Sequence, residues 1–198
     1  MLRTVGLWAA LLALLAVPVV AAAFSPYLEY RRPIYILAGF AGILGLALMP
    51  LQPLAVAGYL PGLSPMATRR LHRWVGISLL GAVALHVLGL WITSPPDVVD
   101  ALLFRSPTPF SPWGVAAMWT IFAAGLLALL RGRLRLRWRT WRRWHAALTC
   151  VAVVCTVLHA LLIEGTMEFY TKIALGALAI GVTARAMIDL RIWSRKAR

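Results

Sequence analysis

The sequence predicts an all-α integral membrane protein, a six-helix transmembrane bundle. Apolar residues make up 62% of the 198 positions, and the mean hydropathy is +0.82. Six stretches approach the roughly 20 apolar residues that a helix needs to cross a bilayer. Most of the net charge of +14 lies in short segments between these stretches. Basic loops explain that charge without a nucleic-acid partner, and no nucleic-acid-binding module is recognisable.

The six predicted helices follow one another as a single domain over residues 1–198. Pro50 and Pro53 should kink or break the second helix, because proline lacks the N–H that continues a helix. The longest connection, 94–112, has room for a short interfacial helix. The first segment also fits a signal peptide, but its length favours a retained helix. The helices are expected at about 5–24, 33–60, 70–92, 113–131, 143–163 and 168–190.

Lysine and arginine lie mostly at one end of the predicted bundle. We call this the inner end; it carries both termini and the loops after the second and fourth helices. It holds 16 basic residues and the outer end holds 4. The positive-inside rule therefore predicts cytoplasmic N- and C-termini. The inner residues are Arg3, Arg69, Arg70, Arg73, the seven arginines of 131–143, Arg185, Arg191, Arg195, Lys196 and Arg198.

All four histidines follow one spacing. His72 and His86 are 14 residues apart on the third helix, and His145 and His159 repeat this on the fifth. Fourteen residues rise about 21 Å and return to within about 40° of the same helix face. The two helices run in the same direction, because one helix intervenes. We therefore expect an inner pair, His72 with His145, and an outer pair, His86 with His159.

Two imidazoles at each level point to haem. A structural zinc site needs four ligands, whereas a porphyrin supplies four nitrogens and leaves two axial positions for histidine. No C-x-x-C-H sequence occurs, so the haem would be non-covalent b-type. His72 and His145 would hold an inner iron, and His86 and His159 an outer iron. The alternatives are a histidine-dependent proton or metal transporter and a haem-free structural membrane subunit.

The segments RRLHRWVGISLLGAVALH and WRRWHAALTCVAVVCTVLH resemble the ferric reductase-like transmembrane domain family. The resemblance implies two stacked haems b that pass electrons outward. The donor would be a cytoplasmic quinol or flavoprotein, and the acceptor periplasmic Fe(III) or a partner reductase. The chain ends eight residues after Leu190 and has no glycine-rich dinucleotide fingerprint. We therefore expect a standalone member, similar to the haem-binding subunit of the methionine-sulfoxide reductase system. Its expected location is a bacterial inner membrane. Flavin or quinone are further cofactor candidates.

Residues beside the histidines have two interpretations each. Arg73 and Arg143 could bind haem propionates or simply contact anionic lipid. The loop and helix start at 131–144 could anchor the interface or dock an acidic flavoprotein. Glu164 and Glu168 could bind a cationic acceptor or be solvated loop residues. Small residues could admit a macrocycle or pack helices; they are Gly76, Gly81, Gly89, Ala146, Ala147 and Ala152.

Overall fold

The computed structural model describes residues 2–193, which form eight α-helices. Five single helices, together with the pair α2–α3, are long and apolar enough to cross a membrane. The prediction of an all-α, six-helix membrane bundle is confirmed. The helices are α1 (Leu2–Ala23), α2 (Pro33–Leu48), α3 (Leu51–Val56), α4 (Pro65–Thr93), α5 (Pro95–Leu102), α6 (Ser111–Leu129), α7 (Trp138–Leu162) and α8 (Phe169–Asp189).

The helix boundaries differ from the sequence prediction where a helix extends beyond its apolar run. The break between α2 and α3 falls at the expected Pro50. Helix α4 begins at Pro65 rather than near 70, because the Ser64 hydroxyl accepts a hydrogen bond from the Ala67 N–H and caps the helix. Helix α7 begins at Trp138 rather than near 143. Its first turn is rich in Trp and Arg, which suit a membrane interface but do not continue the apolar run by which the helix was predicted.

The bundle contains two helical hairpins. Helix α2 packs mainly on α4, and α6 packs mainly on α7. Within the described residues, the backbones of α4 and α7 approach each other far less than the two helices of either hairpin do. Helix α8 also packs on α7. The two helices are close at Gly176, where an added Cβ would lie 2.9 Å from a Val157 methyl carbon. The two histidine-bearing helices therefore face each other across a space that side chains, rather than backbones, line.

Polar contacts tie the inner end together. The Tyr59 hydroxyl donates to the Asp189 carboxylate at 2.6 Å, and Arg185 pairs with the same carboxylate at 2.9 Å. Arg142 donates to the Leu190 carbonyl. These contacts join the loop after α3, the start of α7 and the end of α8. The cytoplasmic location of this end stays a prediction, and its last basic residues, Arg195, Lys196 and Arg198, lie outside the described residues.

Candidate cofactor site

The structure brings the four half-buried histidines together in two pairs between α4 and α7. The ring centroids of His72 and His145 are 6.4 Å apart, with an interplanar angle of 71°. The centroids of His86 and His159 are also 6.4 Å apart, with an angle of 79°. The two levels thus share one geometry.

This distance fits a metal ion held between two imidazoles. Two rings that bind one metal from opposite sides have centroids about 6.4 Å apart, since each metal–nitrogen bond is about 2.0 Å and each nitrogen lies roughly 1.2 Å from its ring centroid. Within residues 2–193, no group of three or more His, Cys, Asp or Glu side chains is placed to hold a metal. Each level therefore offers two nitrogen donors, which suits a macrocycle that supplies the equatorial ligands.

Hydrogen bonds determine which nitrogen the outer histidines present. Nδ1–H of His86 donates to the Ala38 carbonyl at 2.7 Å, and Nδ1–H of His159 donates to the Phe110 carbonyl at 2.9 Å. A carbonyl can only accept, so the proton must be on Nδ1. Nε2 then keeps its lone pair for a metal, as in most histidine metal sites.

A glycine makes room for each of these hydrogen bonds. A Cβ on Gly42 would lie 2.9 Å from Nδ1 of His86, and a Cβ on Gly114 would lie 2.6 Å from Nδ1 of His159. Each glycine follows its acceptor by four residues, one helical turn later, so its Cβ would fall where the ring approaches the carbonyl. We call each combination, Ala38 with Gly42 and Phe110 with Gly114, a carbonyl–glycine notch.

The inner pair is held differently. Nδ1 of His72 lies 3.3 Å from the Gln52 carbonyl and also beside the Gln52 side-chain amide, so its surroundings do not assign the proton to one ring nitrogen. Nδ1 of His145 is buried without a hydrogen-bond partner, although the Ala124 carbonyl is near. The indole of Trp141 stacks on the His145 ring instead, with centroids 5.3 Å apart and planes within 10°.

The two arginines predicted to lie near a cofactor are on the surface of the inner end. Arg73 and Arg143 are exposed, and neither forms an ion pair with a described residue. Arg143 lines a surface cavity of about 490 Å³ at the start of α7. The role of these arginines in binding propionates stays a prediction. The other residues lining that cavity are Arg137, Trp138, Arg139 and Thr140.

The structure shows what several other residues contact. The Glu168 carboxylate accepts hydrogen bonds from the Tyr170 and Thr171 N–H groups and caps α8. Gly89 lies against Ala38 on α2, so it serves helix packing rather than a macrocycle. Both cysteines, Cys150 and Cys155, are free, as their spacing on one helix requires.

Sequence reasoning missed Gly42, Gly114 and Trp141. The two glycines are separated by 72 residues, almost the 73-residue offset of the histidine pairs, and each lies on the helix that precedes a histidine helix. This near-repeat in the sequence could have linked each glycine to a histidine pair. Trp141 could have been found from its position four residues before His145, on the same helix face.

Comparison with known families fits this arrangement. The model of a family described as the ferric reductase-like transmembrane component matches residues 41–157, which are 117 of the 198 positions. The match contains three of the histidines and ends two residues before His159. No curated protein and no solved structure matches the chain. Transmembrane domains of this kind generally bind haem, and their presence indicates a role in membrane electron transfer. Because the match covers more than half of the chain, the protein belongs to the family of ferric reductase-like transmembrane components.

Proposed function

We propose that the protein is a di-haem b transmembrane electron-transfer component. His72 and His145 would ligate an inner haem, and His86 and His159 an outer haem. The observation that carries the proposal is the shared 6.4 Å separation of the ring centroids at both levels. The hydrogen-bonded Nδ1 atoms of the outer pair support it, because they leave Nε2 free to bind a metal.

In this proposal the protein supplies ligands, spacing and an apolar environment. A bound haem supplies an iron that takes up and releases one electron. If two histidines held each iron, no open coordination site would remain for oxygen or substrate, which would favour electron transfer over oxygen activation. Fourteen residues of helix separate the two levels along α4 by about 21 Å, so the pairs would serve opposite sides of the bilayer.

Electrons would be taken up at the inner end and released at the outer end. The donor would be a quinol or a separate cytoplasmic flavoprotein, and the many arginines at the inner end would attract an acidic partner. The acceptor would be periplasmic Fe(III) or a partner reductase, such as a methionine-sulfoxide reductase. We propose a bacterial inner membrane as the location.

Haem quantitation in purified single-histidine variants tests the proposal. Wild-type protein should contain two haems b with a dithionite-reducible spectrum. His86→Ala and His72→Ala should each lose about half of the haem, because each removes one axial ligand of one site. Trp119→Leu is the control, since this side chain is 58% exposed on α6 and should leave both haems in place.

Three outcomes would contradict the proposal. Retention of both haems in His86→Ala would exclude the ligand assignment. A colourless wild-type protein whose ion flux depends on the histidines would favour a transporter. A colourless protein without flux would favour a structural subunit.

A further inference from the structure

The backbone acceptors of the histidines follow a register of their own. Ala38 and Gln52, which face His86 and His72, are 14 residues apart on α2 and α3. Phe110, which precedes α6 and faces His159, is 14 residues before Ala124, which lies on α6 and faces His145. The acceptor helices run antiparallel to the histidine helices, so each histidine meets an equivalent carbonyl. The two levels are therefore built alike, and their differences come from neighbouring side chains.

The two levels differ in the residue one turn after each acceptor. At the outer level it is Gly42 or Gly114, and short hydrogen bonds form. By the same register it is Val56 after Gln52 and Ala128 after Ala124. By this register their Cβ atoms correspond to the Cβ that a substituted Gly42 or Gly114 would place against a histidine ring. This agrees with the long 3.3 Å contact of His72 and with the unpartnered Nδ1 of His145.

An aromatic stack takes the place of the missing hydrogen bond at His145. Trp138 and Trp141 stack at 5.1 Å with planes 18° apart, and Trp141 in turn stacks on His145. The Arg131 guanidinium lies over both indoles, 4.4 and 4.8 Å from their centroids. The Trp141 Nε1–H donates to the Leu127 carbonyl, which holds the indole in place. The Trp141 indole is therefore itself held in place while it lies flat against the His145 ring.

We infer that Trp141 is a positioning residue for His145 and that the inner haem has the higher midpoint potential of the two. This inference depends on the proposed di-haem function. Hydrogen bonds to Nδ1 make the outer imidazoles more basic, which stabilises the oxidised iron and lowers the potential. At the inner level His145 lacks such a bond and the His72 contact is longer, at 3.3 Å, and the cationic Arg131 lies over the indole that stacks on His145. A nearby positive charge favours the reduced state, because reduction removes one unit of positive charge from the iron.

The difference between the two midpoint potentials affects electron transfer from the inner to the outer level. One electron, supplied by the quinol or flavoprotein of the proposed function, would move from the inner to the outer level against the intrinsic potentials. A membrane potential that is negative inside drives electrons outward and would favour this step. Transfer should therefore be faster across an energised membrane than across a depolarised one.

Potentiometric titration of single-haem variants tests the ordering. The haem left in His86→Ala, held by the inner pair, should titrate at a higher potential than the haem left in His72→Ala. Ala128→Gly should open a third notch, allow the His145–Ala124 hydrogen bond and lower the inner potential alone. Gly114→Ala should raise the outer potential or release the outer haem.

Trp141→Leu tests the positioning role by electron paramagnetic resonance. The low-spin signal of the inner haem should shift, because its axial ligand can rotate, and the outer signal should not. Trp144→Leu is the matched control, since Trp144 lies on the same helix, is 62% exposed and joins no stack. Haem-bearing protein with equal or reversed potentials, or an unchanged inner signal in Trp141→Leu, would overturn the inference and leave the proposed function standing. A colourless protein would overturn both.

Discussion

A histidine that binds a metal must present one ring nitrogen without a proton, and the surroundings of the other nitrogen decide which one it is. His86 and His159 meet this requirement through backbone carbonyls, which no side-chain substitution can remove. Protein evolution or engineering can change only the access to those carbonyls. In the proposed di-haem function, Gly42 and Gly114 are therefore the residues on which the outer site would depend beyond its ligands.

Alanine at either notch glycine is expected to weaken outer haem binding. The new Cβ of Gly42→Ala would lie 2.9 Å, and that of Gly114→Ala 2.6 Å, from Nδ1 of the adjacent histidine, so the ring must move off its carbonyl. Loss of such a supporting hydrogen bond typically costs about 10–100-fold in metal affinity. Haem content per protein, measured during dilution or competition with apomyoglobin, should show a weaker outer site and an unchanged inner one.

Gly39→Ala is the matched control for the notch variants. Gly39 lies three residues before Gly42 on the same helix, and a Cβ there would meet no atom within 4 Å. It changes helix propensity in the same way as Gly42→Ala without touching a histidine. If Gly39→Ala weakened haem binding as much as Gly42→Ala, the notch would have no specific role.

At the scale of elements, the bundle is two similar hairpins that face each other. Each contributes one histidine helix, α4 or α7, and one preceding acceptor helix, α2–α3 or α6. The equivalent residues are offset by 72 positions for the acceptors and 73 for the histidines. This repetition explains why the two histidine pairs have the same separation although they lie at different depths.

Hydropathy and helix geometry were sufficient to predict the spans and the pairing of His72 with His145 and of His86 with His159. Apolar length determines which segments cross the bilayer, and helix parity determines which ends meet. The start of α7 could not be predicted in this way, because Trp138 and the arginines beside it belong to an interfacial turn. The notches were missed because the contact between Gly42 and His86 depends on the rotation of α2 against α4, which a single sequence does not show.

The N-terminus of helix α8 is capped by a carboxylate, so its contribution to stability should depend on pH. The Tyr170 and Thr171 N–H groups donate to the Glu168 carboxylate at its N-terminus and hold the pKa of that carboxyl below its ordinary value of 4.5. A group with a depressed pKa in the folded state stabilises the fold above the unfolded pKa. This contribution is lost as the pH falls through the depressed pKa. Glu168→Ala should therefore lower the thermal midpoint at neutral pH, and its difference from wild type should shrink at acid pH.

The neighbouring Glu164→Ala variant separates capping from general charge effects. Glu164 is exposed in the same connection, and its side chain caps no helix. It removes the same charge at nearly the same place. An equal loss of stability in both variants, or a Glu168→Ala effect that persists below the depressed pKa, would argue against the capping explanation.

At the scale of the whole molecule, charge decides which haem level would face the cytoplasm. Sixteen basic residues at one end against four at the other is a strong bias for loops of this length. The fold adds that the loop after α3, the start of α7 and the end of α8 share that end, through the contacts of Tyr59 and Arg142. An inverted protein would keep its histidine pairs and reverse the direction of electron flow.

Cysteine labelling tests this orientation without altering the charge distribution. In a background in which Cys150 and Cys155 are replaced by alanine, Tyr27→Cys marks the outer end and Leu134→Cys the inner end. Both positions are exposed, at 56% and 44%, and both are uncharged. In right-side-out bacterial membrane vesicles, a membrane-impermeant maleimide should label Cys at 27 at once and Cys at 134 only after permeabilisation. The reverse pattern would place both termini outside. The pair of His72 and His145 would then face the periplasm, and the donor would have to approach from the other side of the membrane.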